Sequence, residues 1–239
     1  VLTTHRGFEC TLEEGCWIVR LCRPERRNAL DEQLATDLAG CLRDLSSRAP
    51  GTPLVLCSDG PAFSAGADVT HLKGVVDRAE RERRFADRAR TLTPALVELI
   101  DALASSDQVT LASIQGAAAG GGWSLALACD LRFAAPEATF WFPEVEYGRP
   151  LSEKSIAMLL PKVGQARTAE IVLTARRYSA ADLLAFGLVN EVMPAATLMT
   201  GVMARSRRLA AMAPSSLCES KRRIRRQADI LSLTKVASD

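Results

Sequence analysis

The residues best suited to chemistry form two turns of small residues, each set between a strand and a helix. Val109-Thr110-Leu111-Ala112-Ser113-Ile114-Gln115 reads as a short apolar strand. Gly116-Ala117-Ala118-Ala119-Gly120-Gly121-Gly122-Trp123-Ser124 then opens a helix through Leu125-Ala126-Leu127-Ala128. Three consecutive glycines remove the Cβ atoms that keep a ligand away from the backbone. They leave the free N–H groups of a helix N-terminus pointing at whatever sits there, which favours an anion or a developing oxyanion. Neither phosphate-loop pattern is present: no Lys-Ser/Thr pair follows the glycines, and Gly-x-Gly-x-x-Gly spacing is absent. A close-packed glycine turn without a ligand is the alternative. The second turn, Ser64-Ala65-Gly66-Ala67-Asp68, follows the buried-strand pattern Pro53-Leu54-Val55-Leu56-Cys57 and leads into a helical run. Two such turns can aim two backbone N–H groups at one oxygen, as an oxyanion hole requires.

Together with their neighbours these segments carry a family likeness. Phe63-Ser64-Ala65-Gly66-Ala67-Asp68, the loop Gly116 to Gly122 and Ala128-Cys129-Asp130-Leu131-Arg132-Phe133-Ala134 resemble the enoyl-CoA hydratase/isomerase (crotonase) family. Arg23-Pro24-Glu25-Arg26-Arg27-Asn28-Ala29-Leu30 is similar to an early motif of that family, and the stretch from Thr174 to Asn190 to a later one. The likeness runs from about residue 8 to about residue 223. It implies an α/β fold, a spiral of ββα turns with a helical C-terminal trimerisation region. Residues 1–194 would form the core for acyl-CoA binding and catalysis, and 195–239 a helical region shortened relative to the family. It further implies a homotrimer or dimer of trimers. The substrate would be a thioester on CoA or a carrier, with no cofactor beyond the coenzyme A of that substrate.

The positions matching the family's oxyanion donors are Ala67 and Gly121, with Ala65, Gly66, Asp68 and Gly120 beside them at the substrate. Side chains decide the reaction. Hydratases of the family carry one Glu two residues after the glycine triplet and another in a later Pro-Glu pair. Here the first position is Ser124, while Phe142-Pro143-Glu144-Val145 keeps the second as Glu144. The family's Gly-rich turn is replaced by Pro150-Leu151-Ser152-Glu153-Lys154-Ser155. A water held by two carboxylates therefore loses its tether, whereas one carboxylate suffices to move a proton between C2 and C4 of a 3-enoyl thioester. The likeness thus implies a double-bond isomerase using Glu144, its pKa raised by burial among Phe140, Trp141 and Phe142. One alternative is another family reaction (hydration, decarboxylation or thioester hydrolysis) drawing on Glu144, Ser152, Glu153 or Lys154. The other is a weakly catalytic thioester-binding scaffold.

Lesser candidates each have two readings. Trp123 closes the acyl pocket or belongs to the core. Ser124 bonds substrate or caps its helix. Asp68 contacts substrate or caps the next helix. Glu146 is a second carboxylate on the face of Glu144 if the segment is extended, or a solvated acid. Arg26 and Arg27, beside Arg23, are expected at the coenzyme's phosphates. Lys221-Arg222-Arg223-Ile224-Arg225-Arg226 is a helical basic run able to meet a phosphate or an acidic patch. His71 is expected at the surface, with no Ser-His-Asp pattern around it.

The elements that must position these residues alternate. Phe8–Leu12 and Cys16–Cys22 read as a strand pair, and Asp31 as the N-cap of an amphipathic helix through Leu34, Leu38, Leu42 and Leu45. A long helix is expected over about 78–105, with short strands at Leu131–Ala134 and Thr139–Phe142. The 239 residues are 48% hydrophobic and suffice for a large core. With 30 basic and 28 acidic residues no strong field points to nucleic acid. No apolar run reaches bilayer length and no signal segment is visible at the N-terminus. The seven scattered cysteines lack metal-ligand spacing; reduced thiols and a cytoplasmic location are the expectation, with no metal called for.

Overall fold

The expected strand pair forms as β2 (Phe8–Glu13) and β3 (Cys16–Leu21), antiparallel, with β1 (Thr3–His5) added at the edge. The structure, a computed structural model, describes residues 3–236, so the last residues of the expected C-terminal region, 237–239, lie outside it. Helix α1 (Glu32–Arg48) starts where its cap predicts: the Asp31 carboxylate accepts the Leu34 N–H at 2.9 Å. Its Leu34, Leu38, Leu42 and Leu45 are all buried.

From there the chain repeats one unit. β4 (Leu54–Ser58) and β5 (Ala62–Ser64) lead to α2 (Arg78–Ala104). β6 (Thr110–Ile114) and β7 (Ala117–Ala119) lead to α3 (Gly121–Ala128). β8 (Leu131–Ala134) and β9 (Thr139–Trp141) lead to α4 (Glu153–Leu173). The first strand of each unit joins a seven-stranded sheet, β1-β2-β3-β4-β6-β8-β11, and the second a four-stranded sheet, β10-β9-β7-β5, where β10 is Tyr178–Ser179 and β11 Glu191–Val192. This is the expected spiral of ββα turns. In the small sheet β5, β7 and β9 run parallel, in the registers Ala62↔Ala117 and Ala118↔Phe140. Three successive units therefore end their second strands side by side, and ligands bind at such carboxyl ends.

The family-like motifs outside the turns are structural. Asp130 accepts from the Thr110 N–H and hydroxyl and from Lys221 Nζ at 2.6 Å. Arg132 is buried but donates to the carbonyls of Leu127, Leu188, Cys129 and Asp130, and its main chain exchanges bonds with Asn190. Ser179 and Asp182 form a capping box at the start of α5 (Ala180–Ala185). These contacts hold the later segment against β8.

Leu198 and Val202 of α6 (Ala195–Ala210) pack with Val55, Leu111 and Phe133 on the outer face of the large sheet, so the division at residue 194 cuts through a shared core. In α7 (Pro214–Val236) the basic run is largely taken up within the chain. Lys221 reaches Asp130 and the Gln108 carbonyl, Arg222 and Arg225 reach Asp107, and Arg223 pairs with Glu219. All seven cysteines are free thiols, and Cys10, Cys16, Cys57, Cys129 and Cys218 are buried. No described helix is long and apolar enough to cross a membrane.

α3 lies so close to β5 that a Cβ on Gly122 would meet the Ser64 carbonyl oxygen at 2.4 Å. Gly122→Ala is expected to lower stability by about 2 kcal/mol, a fall in Tm of roughly 4–8 °C in a thermal melt. Gly40→Ala, inside α1 with nothing within 4 Å of its Cβ, is expected to leave Tm unchanged or raise it.

Candidate active site

Each of the three parallel strands of the small sheet delivers one functional group. β5 is followed by Ala67, β7 by Gly120 and Gly121, and β9 by Pro143 and Glu144. Gly66 lets the first two meet. Its φ is +76°, and a Cβ there would lie 2.4 Å from the Ala119 carbonyl oxygen and 2.9 Å from the Gly121 nitrogen. Around these turns the neighbouring N–H groups are used internally: Ala65 donates to Arg27 O, Gly66 to Ser64 Oγ, Asp68 to Leu30 O and Gly120 to Trp141 O. Among the described hydrogen bonds no acceptor takes the N–H of Ala67 or of Gly121. Both residues line one cavity of about 300 Å³. Ala65, Gly66 and Gly120 thus shape the loops, while Ala67 and Gly121 face the space they enclose.

Glu144 opens a 3-10 turn, Glu144–Tyr147, and lines the same cavity. Its Oε1 lies so near Gly120 that a Cβ there would touch it at 2.8 Å. Its Oε2 is buried with no hydrogen-bond partner. Burial away from water pushes its pKa up from 4.5 to about 7, opposed only by a hydrogen bond from its own backbone. The cavity walls from α2 are Phe85, Leu96, Val97 and Ile100. Such a site can hold a carbonyl oxygen between two N–H donors and move a proton beside it.

Several other candidates sit elsewhere. Trp123 is 1% exposed and packs against Phe140 with ring centroids 4.7 Å apart; it is a core residue and not a wall of the cavity. Asp68 neither caps a helix nor lines this cavity. The run after it is a short 3-10 turn, and α2 is capped by Asp77, which accepts the Glu80 N–H. Burial disfavours the Asp68 charge, but hydrogen bonds from Thr70 and Arg26 outweigh it and hold the carboxyl below its usual range. Arg23 joins it at 3.7 Å. Arg26 is therefore tied to Asp68 at 3.1 Å, while Arg27 is exposed. Glu146 is exposed, because the segment is a turn and not extended. Ser124 does not cap α3, whose N-cap is Gly120; it lines the cavity with Ser152 and Ser155. Lys154 forms an ion pair with Asp101. Arg149 and the α2 wall also line the cavity and were not singled out in the sequence. The wall had a signal in the helical spacing of Leu92, Leu96 and Leu99, but Arg149 had none.

The family model for enoyl-CoA hydratase/isomerase matches residues 11–238. A probable enoyl-CoA hydratase, echA6 of Mycobacterium bovis, is 34% identical over 215 residues, which cover 89% of this chain and 79% of the relative. Among solved structures, an enoyl-CoA hydratase/carnithine racemase from Magnetospirillum magneticum is similar at a TM-score of 0.83 and 27% identity, covering 94% of this chain and 82% of that one. A monofunctional enoyl-CoA isomerase from M. smegmatis is similar at a TM-score of 0.74 and 28% identity, covering 96% and 93%. With two free N–H donors and a buried carboxyl at the ends of three parallel strands, in the crotonase fold, this chain belongs to the enoyl-CoA hydratase/isomerase family of acyl-CoA thioester enzymes.

Proposed function

We propose that the protein shifts the double bond of a 3-enoyl thioester to the 2-position, with Glu144 as its one acid/base. The observation that carries this reading is the buried, partnerless Oε2 of Glu144 in a cavity that also holds the free N–H groups of Ala67 and Gly121. The thioester carbonyl accepts from both N–H groups. The Glu144 carboxylate takes a proton from C2, and the electron pair delocalises into an enolate whose oxygen those two donors stabilise. The same carboxyl then returns the proton to C4, leaving the conjugated 2-enoyl thioester. Removing one such donor typically costs on the order of 2.7–4 kcal/mol, so the main chain supplies the largest single contribution. Coenzyme A enters as part of the substrate and no further cofactor takes part.

Hydration asks for a second carboxylate to hold water; the family position in Glu144's cavity carries the hydroxyl of Ser124, and the cavity's other carboxylate, Glu153, is exposed. The likeness to the M. smegmatis monofunctional isomerase supports the same choice. Lys154, committed to Asp101, has no role in this reading.

In assays with 3-hexenoyl-CoA and 2-butenoyl-CoA, double-bond migration is expected to exceed water addition. Glu144→Gln is expected to lower kcat/KM for migration by roughly 10²- to 10⁴-fold. Faster hydration than migration, or migration that survives in Glu144→Gln, overturns the reading. Because the base must be ionised, kcat/KM for migration is expected to rise with pH through about 7 and then level off.

The same burial has an opposite effect on stability. Between pH 4.5 and about 7 the unfolded chain ionises Glu144 while the folded chain keeps it protonated, so stability falls as pH rises. Glu144→Gln removes that loss. Chemical denaturation is expected to find the variant more stable than the parent by up to ~3 kcal/mol at pH 8, and little different at pH 4.

A further inference from the structure

Three serine hydroxyls line the cavity and bond to one another. Ser124 Oγ of α3 lies 2.6 Å from Ser155 Oγ, and Ser155 Oγ lies 2.8 Å from Ser152 Oγ, the N-cap of α4. Ser152 Oγ also accepts the Ser155 N–H at 3.2 Å. The three groups carry three hydrogens, and the two oxygen–oxygen links use two of them. No other acceptor takes a hydrogen from any of the three among the described residues. However the chain is oriented, one O–H is left over. Ser124 and Ser155 are each 1% exposed, while Ser152 is half-buried, so the spare O–H sits at the cavity on one of these three side chains. The spare O–H is a donor open to an oxygen on the cavity's occupant.

Arg149 adds a charge to that donor. Its main-chain N–H bonds to Glu144 O, and its guanidinium lies over the Phe85 ring, 5.8 Å from the centroid. Among the described residues no carboxylate lies within ion-pair distance of it. Other cations of the chain are paired, Lys154 with Asp101, Arg88 with Glu32 and Arg26 with Asp68. Arg149 and Phe85 both line the cavity. The cavity's own acids leave that cation uncompensated: Glu144 is held against Gly120, and Glu153 is exposed. A planar carboxylate matches both the guanidinium fork and a hydroxyl donor.

We propose that this cavity takes an acyl thioester whose chain ends in a carboxylate, paired with Arg149 and accepting from the Ser124–Ser155–Ser152 chain. The proposal rests on the reading of the cavity as the acyl-thioester site and adds the class of acyl group.

Calorimetric titration with saturated CoA thioesters, which cannot isomerise, tests it independently of turnover. The probes are hexanoyl-CoA, 6-hydroxyhexanoyl-CoA and the CoA monothioesters of the four-, six- and eight-carbon straight-chain diacids. At least one diacid monothioester is expected to bind roughly tenfold or more tighter than hexanoyl-CoA. Arg149→Gln is expected to bring that ratio to within about twofold, and Ser155→Ala to reduce it further than it changes hexanoyl-CoA binding. Arg149→Lys, which keeps the charge, is expected to retain part of the preference. Hexanoyl-CoA binding as tightly as every diacid thioester overturns the proposal. So does 6-hydroxyhexanoyl-CoA matching the best diacid thioester in the parent and in Arg149→Gln. A carboxylate preference in a protein that moves no double bond would instead overturn the isomerase reading and leave this one standing.

Discussion

The parallel pairing of three very short strands, β5, β7 and β9, is the constraint on which the site depends. Each has only three residues, and each stops where a functional group is needed. The pairing works only because the connecting turns lack side chains where they cross. Gly122 backs onto Ser64, and Gly66 onto Ala119 and Gly121, at distances that leave no room for a Cβ. The glycines therefore act first on packing. The free N–H groups of Ala67 and Gly121 follow, while Ala65, Gly66, Asp68 and Gly120 beside them find acceptors within the chain.

Against that scaffold the treatment of buried charge is uneven. Lys221 is answered by Asp130, Arg132 by four carbonyls, and Asp68 by two arginines and Thr70. Glu144 alone among these buried ionisable groups has an oxygen with nothing to meet it. Its environment supplies desolvation without a counter-charge, so the proton stays on to near neutral pH. The neighbouring pairs stabilise the fold, and the unpaired acid withdraws some of that stability in exchange for basicity.

What could be read from the chain follows the range of the interactions involved. The Asp31 cap, the leucine stripe of α1 and the strand pair ahead of it are local patterns, and each formed as expected. The turn residues and Glu144 were legible because short motifs carry them. The fates of Trp123 and Asp68 were not, and for Glu146 the solvated alternative is the one that holds. Each depends on partners far away in sequence or on whether a short segment winds into a turn: Phe140 for the indole, Arg23 and Arg26 for the carboxylate, the 3-10 turn for the glutamate. Arg149 was silent for the same reason. Its meaning lies in the acid that is missing around it in space, and a sequence does not display an absent neighbour.

The two donors that face the cavity are main-chain N–H groups, and this separates two things that most active sites tie together. Substitution at Ala67 or Gly121 by any residue but proline leaves the N–H in place so long as the turns still close. In the reading proposed above, the reaction and the preferred acyl group reside in a few side chains of the cavity, Ser124, Glu144 and Arg149 among them. Grip on a thioester and choice of chemistry can then drift independently over evolutionary time. On such a fold a change of reaction can leave the thioester's main-chain donors in place.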